Sequence, residues 1–420
     1  MLGHFANSMS RTRFEQDTYP GRPRILFVGH GESSHTHAWV DLLEKSNFNV
    51  RLFSLPSGYP PDSWWPKTYV TTYGYPSRDS ETRLGMFNRG HARRLVEQGA
   101  ARVRGASWNT EEKTLGWLSD IVRRWQPHVV HTLGLEPAAY FYSRARKLSE
   151  LEGIGKWVAQ VRGGPDLALH RLLPEYEPRI REVLAGCDKL VADNQRNYEY
   201  ALALGLKESQ LSTLGAVPGT GGIDVEQLSG AWQGNPSQRR IILWPKAYEC
   251  PQSKALPVLE ALRLVWERLP PCEIQMLAVW PEVKMWFQTL PRGLRERCNL
   301  RERVPREEAL KSMTGARVML APSLTDGVPN SMYEAMAAGA LPIVSPLETI
   351  RPVVENETNV LFARNLYPEE IASALVRAMT DDALVDAAAQ KNLELVERIA
   401  DRREIRLRVI DFYERLTASA

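Results

Sequence analysis

The sequence predicts an α/β protein built from two doubly wound domains that face one another across a cleft. Three observations lead there. At 420 residues the chain exceeds one ordinary hydrophobic core, so two domains of roughly 200 residues each are expected. Strand-like and helical patterns alternate in both halves, which implies parallel sheets covered by helices. Between Gly215 and Ser237 the alternation is broken by Pro218, Gly219, Gly221, Gly222, Gly230, Gly234 and Pro236, the composition of a connection.

In order along the chain, a polar leader (1–20) precedes the apolar strand Arg24–Val28, which ends in Gly29, His30 and Gly31 before a helical pattern from His35 to Glu44. Further strands are expected at Val50–Ser54, Val129–Leu133, Trp157–Val161 and Lys189–Ala192, with helices at Thr114–Trp125, Pro137–Leu148 and Ile180–Ala185. These make the first domain, 21–225, followed by a linker at 226–239. The second domain, 240–400, is expected to hold strands Arg240–Trp244, Glu273–Val279, Val318–Pro322 and Leu341–Val344. Its helices fall at Lys254–Glu267, Ser331–Ala338 and beyond Pro368. Ile405, Leu407, Val409, Ile410, Phe412 and Tyr413 lie among charged residues in a terminal helix within 401–420.

Composition excludes several classes. The residues are 43% apolar and 25% charged, with a net charge of +3, which gives no electrostatic reason to expect nucleic acid as a partner. Cys187, Cys250, Cys272 and Cys298 form no C-x-x-C pair, so neither a zinc site nor a disulfide framework is expected. The leader lacks an apolar run of about 7 to 15 residues, and no segment reaches the roughly 18 apolar residues of a membrane span. A cytoplasmic protein is expected, with any membrane contact peripheral, at the inner face.

The densest chemical signal is Pro322–Pro346, PSLTDGVPNSMYEAMAAGALPIVSP. A strand runs into a glycine-proline turn and a helix opening near Val328, Pro329, Asn330 and Ser331. Free amides at a helix start, with the positive end of its dipole, suit a diphosphate. Asp326 and Glu334 lie eight positions apart, in the turn and just inside the helix. Both carboxylates can border one pocket and accept hydrogen bonds from sugar hydroxyls. The plainer alternative is a capping Asp326 and a surface Glu334 favoured by the dipole.

This segment resembles the signature of retaining glycosyltransferases of GT-B fold in family 4, an E-x(7)-E pattern leading into EAMA-x-G-x-P. Glu334, Ala335, Met336, Ala337, Gly339 and Pro342 match it, with Asp326 where the family has glutamate. The resemblance implies two Rossmann-like domains and a terminal helix that returns to the first. It also implies that Asp326 contacts the donor sugar and Glu334 the ribose hydroxyls. WPKAYECPQSKA, Trp244–Ala255, is similar to the segment that supplies cations to the donor phosphates; Lys254 matches the lysine and Lys246 stands in place of the arginine at longer spacing. Two cations beside a developing diphosphate stabilise the leaving group, unless both are solvated loop residues.

The resemblance is weaker in the first half. GHGESSHTHAWVDLL looks like the first strand-loop-helix, where Gly29 and Gly31 permit backbone approach to the diphosphate, although tight turns need glycine in any case. His131, in HVVHTLG, either lines the acceptor side or is a core histidine. VRGGPDL falls where many members read HG-x-D, so Arg162 replaces a histidine near the reacting sugar. It either pairs with a carboxylate or phosphate of donor or acceptor, or is a structural cation bound to Asp166. Six arginines between Arg83 and Arg104 against the single acid Glu97 read as a solvated helix face or as contact with anionic lipid. Trp64 and Trp65 sit on an acceptor loop or plug the surface.

The expectation is a retaining hexosyltransferase with a UDP- or GDP-sugar as donor substrate and no cofactor. Its acceptor is a hydroxyl on a glycan, a lipid-linked molecule or a small molecule. No Asp-x-Asp pair is present, so no metal is expected. Rival readings are an epimerase or phosphorylase of the same fold, and a catalytically silent partner subunit that binds nucleotide sugar.

Overall fold

The computed structural model describes residues 16–55, 69–71, 86–87, 89–104, 109–163, 165–302 and 304–418. Its first sheet contains β1 (Arg24–His30), β2 (Asn49–Leu55), β3 (Tyr69–Thr71), β4 (Met86–Phe87), β5 (Val129–Leu133), β6 (Lys156–Val161) and β7 (Lys189–Ala192). The strands are all parallel, in the order β4-β3-β2-β1-β5-β6-β7. The second contains β8 (Ile241–Trp244), β9 (Glu273–Met276), β10 (Cys298–Leu300), β11 (Val318–Ala321), β12 (Leu341–Val344) and β13 (Leu361–Phe362), again parallel, in the order β10-β9-β8-β11-β12-β13.

Burial on both faces explains the unbroken apolar runs of these strands. In β1, Leu26 and Val28 join one core layer with the helices Thr110–Trp125, Tyr140–Ser149 and Glu177–Gly186. Ile25 and Phe27 point the other way, toward Trp39 and Leu42. The second sheet repeats the device, with Ile242, Val318 and Leu320 on one face and Leu243 and Met319 on the other.

The terminal helix Arg402–Ala418 belongs to the first domain's core. Ile405, Val409, Phe412 and Tyr413 recur at helical spacing and are buried against Phe27, Trp39, Leu42 and Phe48. Each buried side chain of this size stabilises by roughly 1.5–3 kcal/mol, enough to hold the returning helix. Trp39 Nε1 donates to Tyr413 Oη at 3.3 Å, and His131 Nδ1 lies 2.5 Å from the same oxygen. His131 is therefore a core residue, 0% exposed, and the expectation of an acceptor-side histidine is corrected. Its register partner Phe27 explains why: both point into the layer under the terminal helix.

The connection differs from the expected 226–239 linker. Val225–Gly230 is a helix whose Val225 and Leu228 pack with Met332, Met336 and Val396 of the second domain, so the crossing lies just before it. There Ile223 donates to Ala400 O and Arg402 to Ile223 O, both at 2.9 Å, and the outgoing and returning chains cross side by side. Gly222 has φ +88°, and a Cβ on it would lie 2.6 Å from Ala400 O, which only glycine tolerates.

Trp64 and Trp65 lie outside the described residues, as do the side chains of most of the arginine-rich stretch. That stretch enters the helix Arg89–Val103, on which Leu95, Val96 and Val103 are exposed. Among the described residues no helix is long and apolar enough to cross a membrane.

Candidate functional site

Strand order reverses between β1 and β5 in the first sheet and between β8 and β11 in the second. Doubly wound sheets bind ligands beyond the carboxyl ends of the strands at such a reversal. Beyond β8 stands Lys246; beyond β11 comes the turn 322–329 and the helix Asn330–Ala337. The motif's position thus follows from topology.

Several polar side chains that the sequence reading did not single out fix these loops. Asn365 accepts from the Lys254 amide at 2.8 Å and donates to Lys254 O and Pro322 O at 3.0 and 3.1 Å, tying the Lys254 segment to the turn. Thr349 Oγ1 donates to Asp326 O at 2.8 Å. Ser345 Oγ accepts from the Ser323 amide at 3.0 Å. The helix itself ends at Gly339, whose φ of +77° closes the turn and whose Cβ, if present, would meet Trp232 at 2.8 Å. Trp232 in turn donates to Ala337 O at 2.8 Å.

The helix start is built as expected. Pro329 is in the N-cap position, and no side chain caps the first turn; the Met332 amide turns back to Pro329 O at 2.9 Å, which leaves the Asn330 and Ser331 amides to a ligand on the cleft side. Val328, Pro329 and Ser331 are buried while Asn330 is half-buried. Asp326 Oδ1 accepts the Gly327 amide at 2.8 Å, and its Oδ2 lies 3.7 Å from Lys246 Nζ. Desolvation would lower the Lys246 pKa, but Asp326, with Tyr248 and Glu334 behind it, outweighs this and raises it. Lys246 is therefore a cation held beside the turn. Lys254 does not join this cluster by its charge: its Nζ lies 2.8 Å from Glu249 Oε1.

Glu334 is buried, and Arg306 reaches it from the start of the helix Arg306–Gly315, with Nη2 2.6 Å from Oε1. Burial raises the Glu334 pKa, while Arg306 and Lys246 pull the other way. Glu334 is thus neither a surface carboxylate nor unpaired. Arg306 was not singled out from the sequence; its only local signal is a helix start after Pro305.

The first domain supplies the opposite wall. Gly31 is buried, and its amide donates to Ser54 Oγ at 3.0 Å, so the turn is held by β2 and this amide is already engaged. His35 opens the following helix. It is exposed by area yet enclosed by protein, and its pKa is lowered to about 4, first by that enclosure and then by the charges of Arg162, Lys246 and Arg306. Each of those three cations, contributed by both domains, acts to lower the pKa of one imidazole.

Arg162 Nε donates to Gln160 Oε1 at 2.9 Å, and burial lowers its pKa to about 10. It is not tied to Asp166 through its guanidinium. Asp166 instead accepts three backbone amides, from Arg162 at 2.9 Å, Leu135 at 3.1 Å and Glu136 at 3.3 Å, and so joins the loops after β5 and β6. Asp193, beyond β7, accepts from the Gly163 amide at 2.9 Å and the Asn197 side chain at 2.8 Å.

The two walls meet. Gly327 packs so closely on Asp193 and Gly163 that a Cβ on it would lie 2.2 Å from Asp193 Oδ2 and 3.0 Å from Gly163 Cα. Thr220 Oγ1, in the crossing segment, donates to Asn330 Oδ1 at 3.1 Å. Asp326, Lys246, Glu334, the helix start and Arg162 are brought to one cleft, whereas His131 is not.

Residues 239–381 match the family model described as glycosyl transferases group 1. Over nearly the whole chain the fold is that of solved structures of low identity. Sucrose-phosphate synthase from Thermosynechococcus elongatus superposes with a TM-score of 0.68 at 15% identity, covering 95% of this chain and 100% of that one. Anabaena HepE in complex with UDP and glucose gives 0.62 at 12%, covering 94% and 100%. A glycosyltransferase from Rickettsia africae gives 0.63 at 12%, covering 95% and 100%. No curated protein matches the sequence. Two parallel sheets facing across a cleft, with these likenesses, define the GT-B fold expected from the sequence. The match to glycosyl transferases group 1 covers about a third of the chain, the part that carries the turn and helix of 322–337.

Proposed function

We propose that this protein is a glycosyltransferase that moves a sugar, with retention of configuration and without a metal, from a nucleoside diphosphate sugar to a hydroxyl acceptor. The observation that carries the reading is the uncapped first turn of the helix Asn330–Ala337, opening on the cleft with Lys246 and Glu334 beside it. The amides of that turn would hold the diphosphate. Glu334 would take the ribose hydroxyls once Arg306 gives way, and Asp326 the hydroxyls of the transferred sugar. That Anabaena HepE has been solved with UDP-glucose supports the donor class.

In the reaction the bond from the anomeric carbon to the diphosphate oxygen breaks, and its electron pair stays on that oxygen. The acceptor oxygen bonds to the same face of the sugar, and its proton passes to the departing phosphate. Lys246 and the helix dipole stabilise the negative charge that develops there, an effect enlarged when closure excludes water. Contact between Gly327 and the first domain brings the two walls to reacting distance.

The test is a panel of UDP-, GDP- and ADP-sugars, screened for binding by thermal shift and for acceptor-dependent release of nucleoside diphosphate. Release that needs acceptor supports transfer. Binding without turnover across a broad acceptor screen favours a silent partner, and a requirement for inorganic phosphate favours a phosphorylase.

A further inference from the structure

Arg162 has a feature that none of the roles above uses. Its Nη2 atom is buried and has no hydrogen-bond partner among the described residues. A guanidinium nitrogen left in that state is costly, because a charged donor removed from water keeps its full desolvation penalty. The side chain is restrained at two points: Nε is held by Gln160, and Cγ lies near Gly219 of the crossing segment, where a Cβ would be 4.0 Å away. The unpartnered nitrogen therefore sits at the end of a restrained side chain.

A second observation is independent of it. A Cβ on Gly219 would lie 3.9 Å from Asn330 Nδ2 and 4.0 Å from Arg162 Cγ, which places the arginine's stem beside the helix start of the second domain, and the charges of Arg162, Lys246 and Arg306 all lower the His35 pKa. Of the three cations, Lys246 faces Asp326 and Arg306 faces Glu334. Among the described residues the Arg162 side chain has no carboxylate partner at ion-pair distance, since Asp166 is occupied by backbone amides. In the first turn of the helix Asn330–Ala337, Ser331 Oγ, another potential donor, is also buried without a partner among the described residues.

We propose that Arg162 is an anion-binding residue on the first domain's wall of the cleft, taking a phosphate or carboxylate oxygen of a bound substrate. It rests on the proposed sugar-nucleotide reading and adds a contact to it. The anionic group has two possible sources, the diphosphate of the donor or an acidic group on the acceptor, and both use the same planar fork.

The experiment is calorimetric titration of the full chain and of Arg162→Met and Arg162→Lys, with UDP, GDP, UMP and GMP. It is repeated with inorganic phosphate added to protein saturated with the better-bound diphosphate. A donor source predicts that Arg162→Met weakens diphosphate binding about tenfold or more, the scale of a lost charge-assisted bond, while monophosphate binding changes less. An acceptor source predicts unchanged nucleotide binding and loss of the added phosphate. Arg162→Lys keeps the charge without the fork and is expected between wild type and Arg162→Met. It carries the comparison if the methionine variant does not fold. The inference is overturned if both variants bind every probe as the wild type does, even with a lowered melting temperature, or if the wild type binds neither phosphate nor nucleotide at millimolar concentration. Wild type that binds phosphate through Arg162 but no nucleoside diphosphate removes the donor reading alone.

Discussion

Replacing Gly327 by alanine is expected to act on closure of the cleft and leave the two domains folded. The added Cβ would lie 2.2 Å from Asp193 Oδ2, 3.2 Å from its Cγ and 3.0 Å from Gly163 Cα. The first distance is about an ångström short of ordinary contact, and one of the three atoms is backbone. Inserting a methyl into so tight a contact costs about 1–3 kcal/mol when the neighbours are rigid. Asp193 is rigid because Gly163 and Asn197 both bond its carboxylate. Here, however, the domains can relieve the clash by separating, so that cost appears as a shift of about 5- to 150-fold toward the open arrangement. The assays are steady-state sugar transfer and small-angle scattering with and without nucleotide. Gly327→Ala should lose kcat/KM within that range and fail to contract on nucleotide binding, with an unchanged melting temperature. In Gly327→Ala combined with Asp193→Ala part of the loss should return, because the nearest obstacle is gone. Wild-type kcat/KM and contraction in Gly327→Ala would refute the idea that this contact belongs to the working state.

Asp193 is also expected to make stability depend on pH. Burial, with Asp326 and Asp166 adding to it against the Gly163 and Asn197 bonds, raises its carboxyl from 3.8 to about 7. The folded state then holds this proton more tightly than the unfolded one. The associated stability is complete below pH 3.8 and is lost as pH rises through about 7. The melting temperature of wild type relative to Asp193→Asn should fall between pH 4.5 and 8, and a constant difference contradicts the assignment. Glu334→Ala should lower nucleoside diphosphate affinity about tenfold or more by calorimetry while the far-ultraviolet spectrum is kept, the scale of a lost hydrogen bond to a charged group; unchanged affinity removes Glu334 from the ribose. Gly339→Ala should destabilise by about 1–3 kcal/mol in chemical denaturation, since φ is +77° and Trp232 stands 2.8 Å from the new Cβ; a shift below about 0.5 kcal/mol counts against the Trp232 contact.

What was legible in the sequence follows from how local each signal is. β5, β7 and β12 fall where the apolar runs place them because strands buried on both faces must be continuous, which holds for β7 even at the edge of its sheet. The helix Gln195–Ala203 was missed because it opens on Gln, Arg and Asn, with only Asn194 as a cap signal. β10 and β13 are too short to show a period. In the site, the turn and helix of 322–337 are local and were readable. Arg306 on Glu334, the charges that act on His35, and Asp193 against Gly327 depend on pairs far apart in sequence, and nothing at either position alone announces the other. Lys254 illustrates the reverse: a motif position was readable, but Glu249, five residues before it, takes its charge.

The way the chain crosses twice between domains limits how the cleft can open. Gly221 and Gly222 take positive φ, and a Cβ on Gly221 would meet Leu42 at 2.4 Å, so the outgoing strand lies tight against the first domain. The returning chain is pinned beside it by Arg402, whose guanidinium donates to Thr220 O at 2.9 Å and to Ala38 O. Burial lowers the Arg402 pKa to about 10, far enough above neutrality that the cation persists. Two connections fastened to one another resist twisting about either one, and what remains is hinge rotation about their shared line. Asn330, bonded to Thr220 at that line, sits next to the pivot, so the phosphate-facing helix start should move less than the turn at Gly327. Closure would then leave the donor's phosphates nearly fixed and move the sugar-facing turn against the first domain, which is the order in which binding must precede transfer.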